Sequence, residues 1–187
     1  MSLSSQMPSS IDPYSLLADI ERKSIALAQG LPAREDVIEL WNGIGFSLAG
    51  HRFVASMGEV VEILSVPRYT MIPGVQEWLN GIANVRGRLL PILDLAQFFG
   101  LSHKGHSTRE RRVLVIERDE VFSGLIVDSV LGMQYFPVDA FQAEVTDVPE
   151  QMQNFVTGCY ARSQDRWNVF STKNLVADEK FLTVAES

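Results

Sequence analysis

The chain has 187 residues, 46% of them hydrophobic, with a formal net charge of −7 and a pI near 5.0. That length suits one domain with extensions or two small domains. The acidity argues against a protein whose main task is gripping nucleic-acid phosphates or anionic lipid.

The first eleven residues are Ser-rich and read as disordered. Asp12-Pro13 then supplies an N-cap and a first helical position. Leu16, Leu17, Ile20, Ile25, Leu27, Ala28 and Leu31 follow at helical spacing, with Glu21, Arg22 and Lys23 on the other side. The pattern predicts an amphipathic helix ending near Gly30, with Pro32 beyond it. Such a helix either packs on its own domain or is offered to a partner. The N-terminus has no basic region followed by an apolar run, and no stretch reaches the ~18 apolar residues of a membrane helix. The expectation is a cytoplasmic protein with no direct membrane insertion.

From Trp41 the period changes to two. Ile44, Phe46 and Leu48 alternate up to Ala49-Gly50-His51, and Phe53, Ala55 and Met57 alternate after it, which predicts a hairpin. Residues 60–66 read as a third strand ended by Pro67. Residues 67–74 read as loop and 75–79 as a short helix. The run Gly81 to Leu95 holds a turn signal at Asn84 and Gly87, residues that tolerate positive φ. It also holds a strand over about 88–93 and Asp94 as cap of a short helix over 96–99 stopped at Gly100. Residues 101–111 read as a polar loop. Two hairpins follow, one around 118–120 and one around 163–165, with a strand over 131–136 between them and a helical turn over 173–177 to close. Some nine or ten short strands with few helices predict an all-β sandwich or barrel. The strands fall into two groups, before and after residue 105, which suggests two small barrels.

Few residues cluster in a way that carries chemistry. His51, His103 and His106 are the only histidines, and the 103–106 stretch reads as a solvated loop rather than a metal site, which needs three or four converging ligands. The same loop carries Lys104, Arg109, Arg111 and Arg112 without the interleaved aromatics that single-stranded nucleic acid requires. An acidic protein partner is the alternative to a solvated loop. Asp94 and Asp128 each end an apolar run; as a pair they could serve acid–base catalysis, but turn capping is the better reading. Ser129 lacks the context of a nucleophile elbow. Asp139, Glu144, Asp147 and Glu150 beside Phe136, Phe141, Val145 and Val148 read as a charged connection with apolar anchors. Cys159 is the one cysteine; it cannot form an internal disulfide and reads as a small buried hydrophobe in a strand. Catalytic, cofactor and metal residues are all assigned as none. Arg86 and Arg88 flank Gly87, where a guanidinium can either bond the surface or fix a turn beside a protein-binding face.

At Asn84-Val85-Arg86-Gly87-Arg88-Leu89-Leu90-Pro91-Ile92-Leu93-Asp94-Leu95 the chain resembles the CheW family of chemotaxis coupling proteins. Gly58 to Ile63, Ile72-Pro73-Gly74, Leu79 to Ile82 and Gly124 to Gly132 resemble the family in the same order. The resemblance is nearest to the branch that serves twitching motility by type IV pili, through the N-terminal helix, Trp41 to Gly45, Pro67 to Thr70 and Gly132 to Val138. Val169-Phe170-Ser171-Thr172 departs from the family's apolar strand followed by Asp-Leu, so the last strand and its helix cap are expected to differ.

The resemblance implies two SH3-like five-stranded β-barrels over residues 41–177, after an extension over 1–40 and before a tail over 178–187. It implies a non-enzymatic adaptor between the cytoplasmic tip of a methyl-accepting chemoreceptor and the regulatory domain of a CheA-like histidine kinase, recruited to receptor arrays. Asn84, Val85, Arg86 and Gly87 are expected at the centre of the receptor-facing groove, with Ile82 and Leu90 lining it. Arg86 is expected to organise that groove, so that its mutation perturbs local structure as well as binding. The alternatives are a flagellar chemotaxis adaptor and, from another class, a small β-barrel that binds nucleic acid.

Overall fold

The computed structural model describes residues 12–27, 38–103, 107–118, 120–162 and 165–183. The disorder expected for 1–11, the helix end near Gly30 and the hairpin tips at 119 and 163–164 lie outside them. The chain divides into two compact units, and the first contributes one helix, α1 (Pro13–Leu27). Asp12 caps it, its Oδ2 accepting the Ser15 N–H at 3.3 Å. Asp19 pairs with Arg22 and Lys23 one turn on. Leu16, Leu17, Ile20 and Ile25 are exposed.

The second unit, from Ile38, contains two sheets. Strands β1 (Leu40–Leu48) and β2 (His51–Ser56) form the predicted hairpin, with Phe46 opposite Phe53. They belong with β8 (Ser129–Pro137), β9 (Phe141–Gln142), β10 (Val156–Arg162) and β11 (Asp165–Phe170), in the order β8-β1-β2-β11-β10-β9. A single 3₁₀ turn, Val138–Ala140, bends the chain from β8 into β9. One bent strand therefore pairs with β1 at one end of the sheet and with β10 at the other, closing a five-stranded barrel.

The second barrel holds β3 (Val60–Ser65), β4 (Leu79–Val85), β5 (Arg88–Asp94), β6 (Arg112–Arg118) and β7 (Val121–Val127), in the order β3-β6-β7-β5-β4. The chain beyond β3 closes it: Thr70 exchanges both backbone hydrogen bonds with Ile82 of β4, at 2.8 and 2.9 Å. The two barrels are alike in plan. Each has one parallel pairing, β2 with β11 and β5 with β7. Each also has a hairpin turned by two left-handed residues, Ala49-Gly50 and Arg86-Gly87.

Two expectations fail here. The strands do not divide at residue 105, because the β6–β7 hairpin pairs with β3 and β5 and so belongs with the strands before it. The first barrel is thus discontinuous, with the second inserted between β2 and β8. Residues 75–78 are irregular and turn rather than helix, and the strand that begins at Leu79, β4, escaped the sequence pattern. Its buried positions are Leu79, Gly81 and Ala83, and the last two are too small to give an apolar signal.

Three apolar clusters explain the continuous runs. Val113 and Val115 point into the second barrel with Ala83, Leu90, Ile92 and Ile126. Leu114 and Ile116, on the opposite face of β6, join a larger cluster with Phe46, Phe53 and Phe170 of the first barrel. Strands buried on both faces read as unbroken hydrophobic sequence, and this shared core fuses the barrels into one body. The first barrel is filled by Val54, Phe136, Tyr160 and Trp167, with Phe136 stacked on Tyr160 at 4.5 Å between centroids. Cys159 is fully buried in β10, as expected.

Helices cover the ends. Asp94 caps α2 (Leu95–Phe98), its Oδ1 accepting the Gln97 N–H at 3.0 Å, and Gly100 ends the segment at φ +67°. The helix α3 (Glu150–Gln153) buries Met152. Ser171 caps α4 (Thr172–Val176) through the Asn174 N–H, so serine supplies the cap where the family pattern has aspartate. The last turn, α5 (Glu179–Leu182), is capped by Asp178 and buries Phe181.

Candidate functional site

The β4–β5 hairpin has a two-residue loop between paired Val85 and Arg88. Arg86 (φ +52°) and Gly87 (φ +83°) are both left-handed, the geometry that matches the twist of antiparallel strands. Sequence pointed to Asn84 and Gly87 as the residues at positive φ. In the structure Asn84 acts instead through its side chain, whose Oδ1 accepts the Gly87 N–H at 2.9 Å. The Arg86 side chain is 79% exposed and its Nη2 reaches Glu62 of β3 at 2.6 Å. Arg88 forks onto Glu117 at 2.8 and 3.3 Å and lies 3.7 Å from the Phe122 ring centre. The hydrogen bond to Glu117 raises the Arg88 pKa, and Arg88 in turn lowers that of Glu117.

The six candidate residues occupy different layers. Asn84, Arg86 and Gly87 are exposed, Ile82 and Val85 are half-buried, and Leu90 is fully buried inside the second barrel. Leu90 therefore supports the hairpin from within. Ile82 lines an apolar pocket of about 230 Å³ with Ile72, Val75, Pro91, Leu93 and Phe181. Phe181 was missed because it sits four residues from the end of the last predicted element; the Asp178-Glu-Lys-Phe cap pattern was the available signal. Exposed apolar side chains include Leu89 on the hairpin itself and Val61 and Ile63 on β3.

A second cluster lies deeper, and it corrects the reading of His103. That side chain is not in a solvated loop: it is 7% exposed and sits between the Asp94 and Asp128 carboxylates, themselves 2% and 0% exposed. His103 Nε2 lies 2.8 and 2.9 Å from the two Asp94 oxygens, and Nδ1 meets Asp128 Oδ1. Asp94 also caps locally, as expected, whereas Asp128 reaches a distant turn. Asp94 caps α2, and Asp128 Oδ2 accepts the Ala49 N–H at 2.8 Å, across 79 residues of sequence. With both ring nitrogens engaged, the cluster is built to hold chain segments together. Further along the same loop, Arg112 folds back on the carbonyls of Arg109, Glu110 and Arg111. Lys104 and His106 lie outside the described residues. In the acidic connection, Phe136 and Val148 are buried anchors, while Phe141 is 40% exposed.

The family model of the CheW-like domain matches residues 42–180. The chain is 49% identical to Protein PilI of Pseudomonas aeruginosa over 173 residues, 92% of this chain and 96% of that one. That stretch is longer than the matched domain, so the likeness extends beyond it. Chemotaxis protein CheW of Helicobacter pylori is 24% identical over 135 residues, 71% of this chain and 79% of that one. Among solved structures, the scaffolding protein TtCheW from Thermoanaerobacter tengcongensis superposes with a TM-score of 0.62 at 26% identity, covering 71% of this chain and 90% of that one.

Proposed function

The chain belongs to the CheW-like family, and on that premise we propose that it is a coupling protein joining a methyl-accepting chemoreceptor to a CheA-like histidine kinase, in the chemotaxis-type system that controls twitching by type IV pili. The observation that carries the reading is the 49% identity to Protein PilI over 92% of the chain. The adaptor does no chemistry; it supplies coupling free energy between two interfaces. A shared core between two closed barrels suits that task, because it keeps two docking surfaces at a fixed separation. Coupling domain 41–177 follows extension 1–40, and Phe181 packs the head of the 178–187 tail against Trp78.

The receptor tip docks on the Asn84–Gly87 turn and on Ile82 and Val85 beside it, with Leu90 holding the hairpin from inside. The kinase regulatory domain takes a separate face. Among the described residues no helix is long and apolar enough to cross a membrane, which fits an adaptor recruited to receptor arrays from the cytoplasm.

The test is co-purification of the full chain with the kinase regulatory domain and the receptor cytoplasmic tip of the same organism, beside Arg86→Glu. Wild type retains both partners, and R86E loses the receptor while keeping the kinase. Failure of wild type to bind either would sink the adaptor reading. Equal binding of both partners by folded R86E would sink only the assignment of the turn.

A further inference from the structure

We propose that His103 is a protonation-controlled latch: an imidazolium shared between Asp94 and Asp128 that holds the two barrels and the segment Leu101–His103 in one arrangement. The argument begins with donors and acceptors. An ionised carboxylate only accepts hydrogen bonds, and a neutral imidazole carries one N–H. Both nitrogens of His103 face carboxylate oxygens, Nε2 toward Asp94 and Nδ1 toward Asp128. The geometry is fully satisfied when both nitrogens are protonated. Loss of one proton leaves a lone pair facing a carboxylate at a site where all three side chains are at least nine-tenths buried.

The place of the cluster in the fold makes this consequential. Asp94 ends β5 and caps α2 in the second barrel. Asp128 stands where the chain leaves β7 for β8, and so passes from the second barrel to the first. Its other oxygen holds the Ala49 N–H in the β1–β2 turn of the first barrel, a residue at φ +51°. One imidazolium thus balances two buried charges on different barrels, where Asp94 Oδ1 also anchors a helix start and Asp128 Oδ2 a left-handed turn.

Among the described residues, the charged groups around the ring come from three elements: Asp94 from β5, Asp128 from the β7–β8 junction and Arg111 from the approach to β6. The hydrogen bond that the ring donates to Asp94 raises the His103 pKa most, burial opposes it, Asp128 raises it further, and the Arg111 charge lowers it. The balance is upward. A pKa raised on folding contributes stability that is complete below the unfolded value of about 6.5 and is lost as pH rises through the folded value. The latch is therefore closed near the ordinary imidazole value and opens as pH rises through the raised one.

The inference concerns the free protein and stands apart from the adaptor reading. Its test is a titration of the ¹⁵N-histidine-labelled full chain, with amide exchange followed at Ala49 and Gln97. His103 should titrate above the ordinary imidazole value, with both nitrogens protonated below its pKa. The protection factors of the two amides should fall by up to about tenfold per pH unit between the ordinary imidazole value and that pKa, and level off above it. In His103→Gln the dependence should vanish, and Arg111→Gln should move the wild-type transition to higher pH. The wild-type titration decides even where H103Q does not fold. A His103 pKa at or below the ordinary imidazole value overturns the latch, as does Ala49 protection that stays level through the His103 titration.

Discussion

The Asp128 carboxylate accepts the Ala49 backbone N–H at 2.8 Å, joining the crossing between the barrels to the hairpin turn of the first. The contact is buried, and the second oxygen of the same carboxylate meets His103. Asp128→Ala would leave the Ala49 N–H unmet and the imidazolium with a single counter-charge. Breaking a buried pair by removing one partner costs about 3–5 kcal/mol. The urea midpoint of D128A should fall accordingly at neutral pH; a shift equal to that of an exposed Asp→Ala control, such as Asp139→Ala, would refute the account.

At the β4–β5 turn, Gly87 has φ +83° and its N–H is held by Asn84. Gly87→Ala places a Cβ in open space, so its penalty is conformational alone, about 1–2 kcal/mol. Asn84→Ala removes one exposed hydrogen bond and should cost about 0.5–1.5 kcal/mol. Thermal melts of the two variants measure this, and a more damaging N84A than G87A would reverse the roles given to the two residues.

Arg86 pairs with Glu62 at the surface. Exposed ion pairs contribute at most about 1 kcal/mol, so Arg86→Glu should melt close to wild type while losing the receptor tip in co-purification. The structural share of Arg86 is thus smaller than its place in the motif suggested. A large drop in melting temperature would restore the organising role.

Gly81 lies at φ +147°, and a Cβ there would come 2.2 Å from the Thr70 carbonyl oxygen. That carbonyl belongs to the bridge that closes the second barrel. Gly81→Ala should therefore cost about 2–4 kcal/mol, through strain and displacement of the bridge. Amide exchange at Thr70 and Ile82 should rise in G81A more than at the β6–β7 pairing, and uniform loss across the sheet would contradict it.

Phe181 is stacked on Trp78 and set edge-on to Phe98. Truncating a buried Phe to Ala costs about 3–5 kcal/mol. Phe181→Ala should lower stability by that order and shift Trp78 emission to longer wavelength. Unchanged fluorescence, read in a variant with Trp41 and Trp167 replaced by Phe, would remove Phe181 from this core.

Features set by neighbours in sequence were legible. The β1–β2 hairpin announces itself by period-two alternation around Ala49-Gly50. Asp94 and Gly100 bracket α2 because a cap and a stop act over three or four residues. The Gly87 turn was placed correctly, although the division of labour between Asn84 and Arg86 was not, since local preference favours Asn at positive φ while the hairpin register puts Arg86 there. Strand β4 was hidden because Gly81 and Ala83 occupy its inward positions, where the Thr70 bridge and the barrel interior leave no room for larger side chains.

What the chain determined by itself was a β-rich composition, the hairpins, the caps and a motif specific enough to indicate the family. Those features rest on local conformational preference and on apolar patterns that repeat within an element. Tertiary structure alone decided which hairpin joined which barrel, because strand edges pair by shape rather than by order along the chain. It also put Leu90 inside the barrel and His103 between two carboxylates from distant segments. No periodicity records such a meeting: a histidine in a polar loop has the same local sequence whether it faces water or closes a buried charge, and only packing determines which.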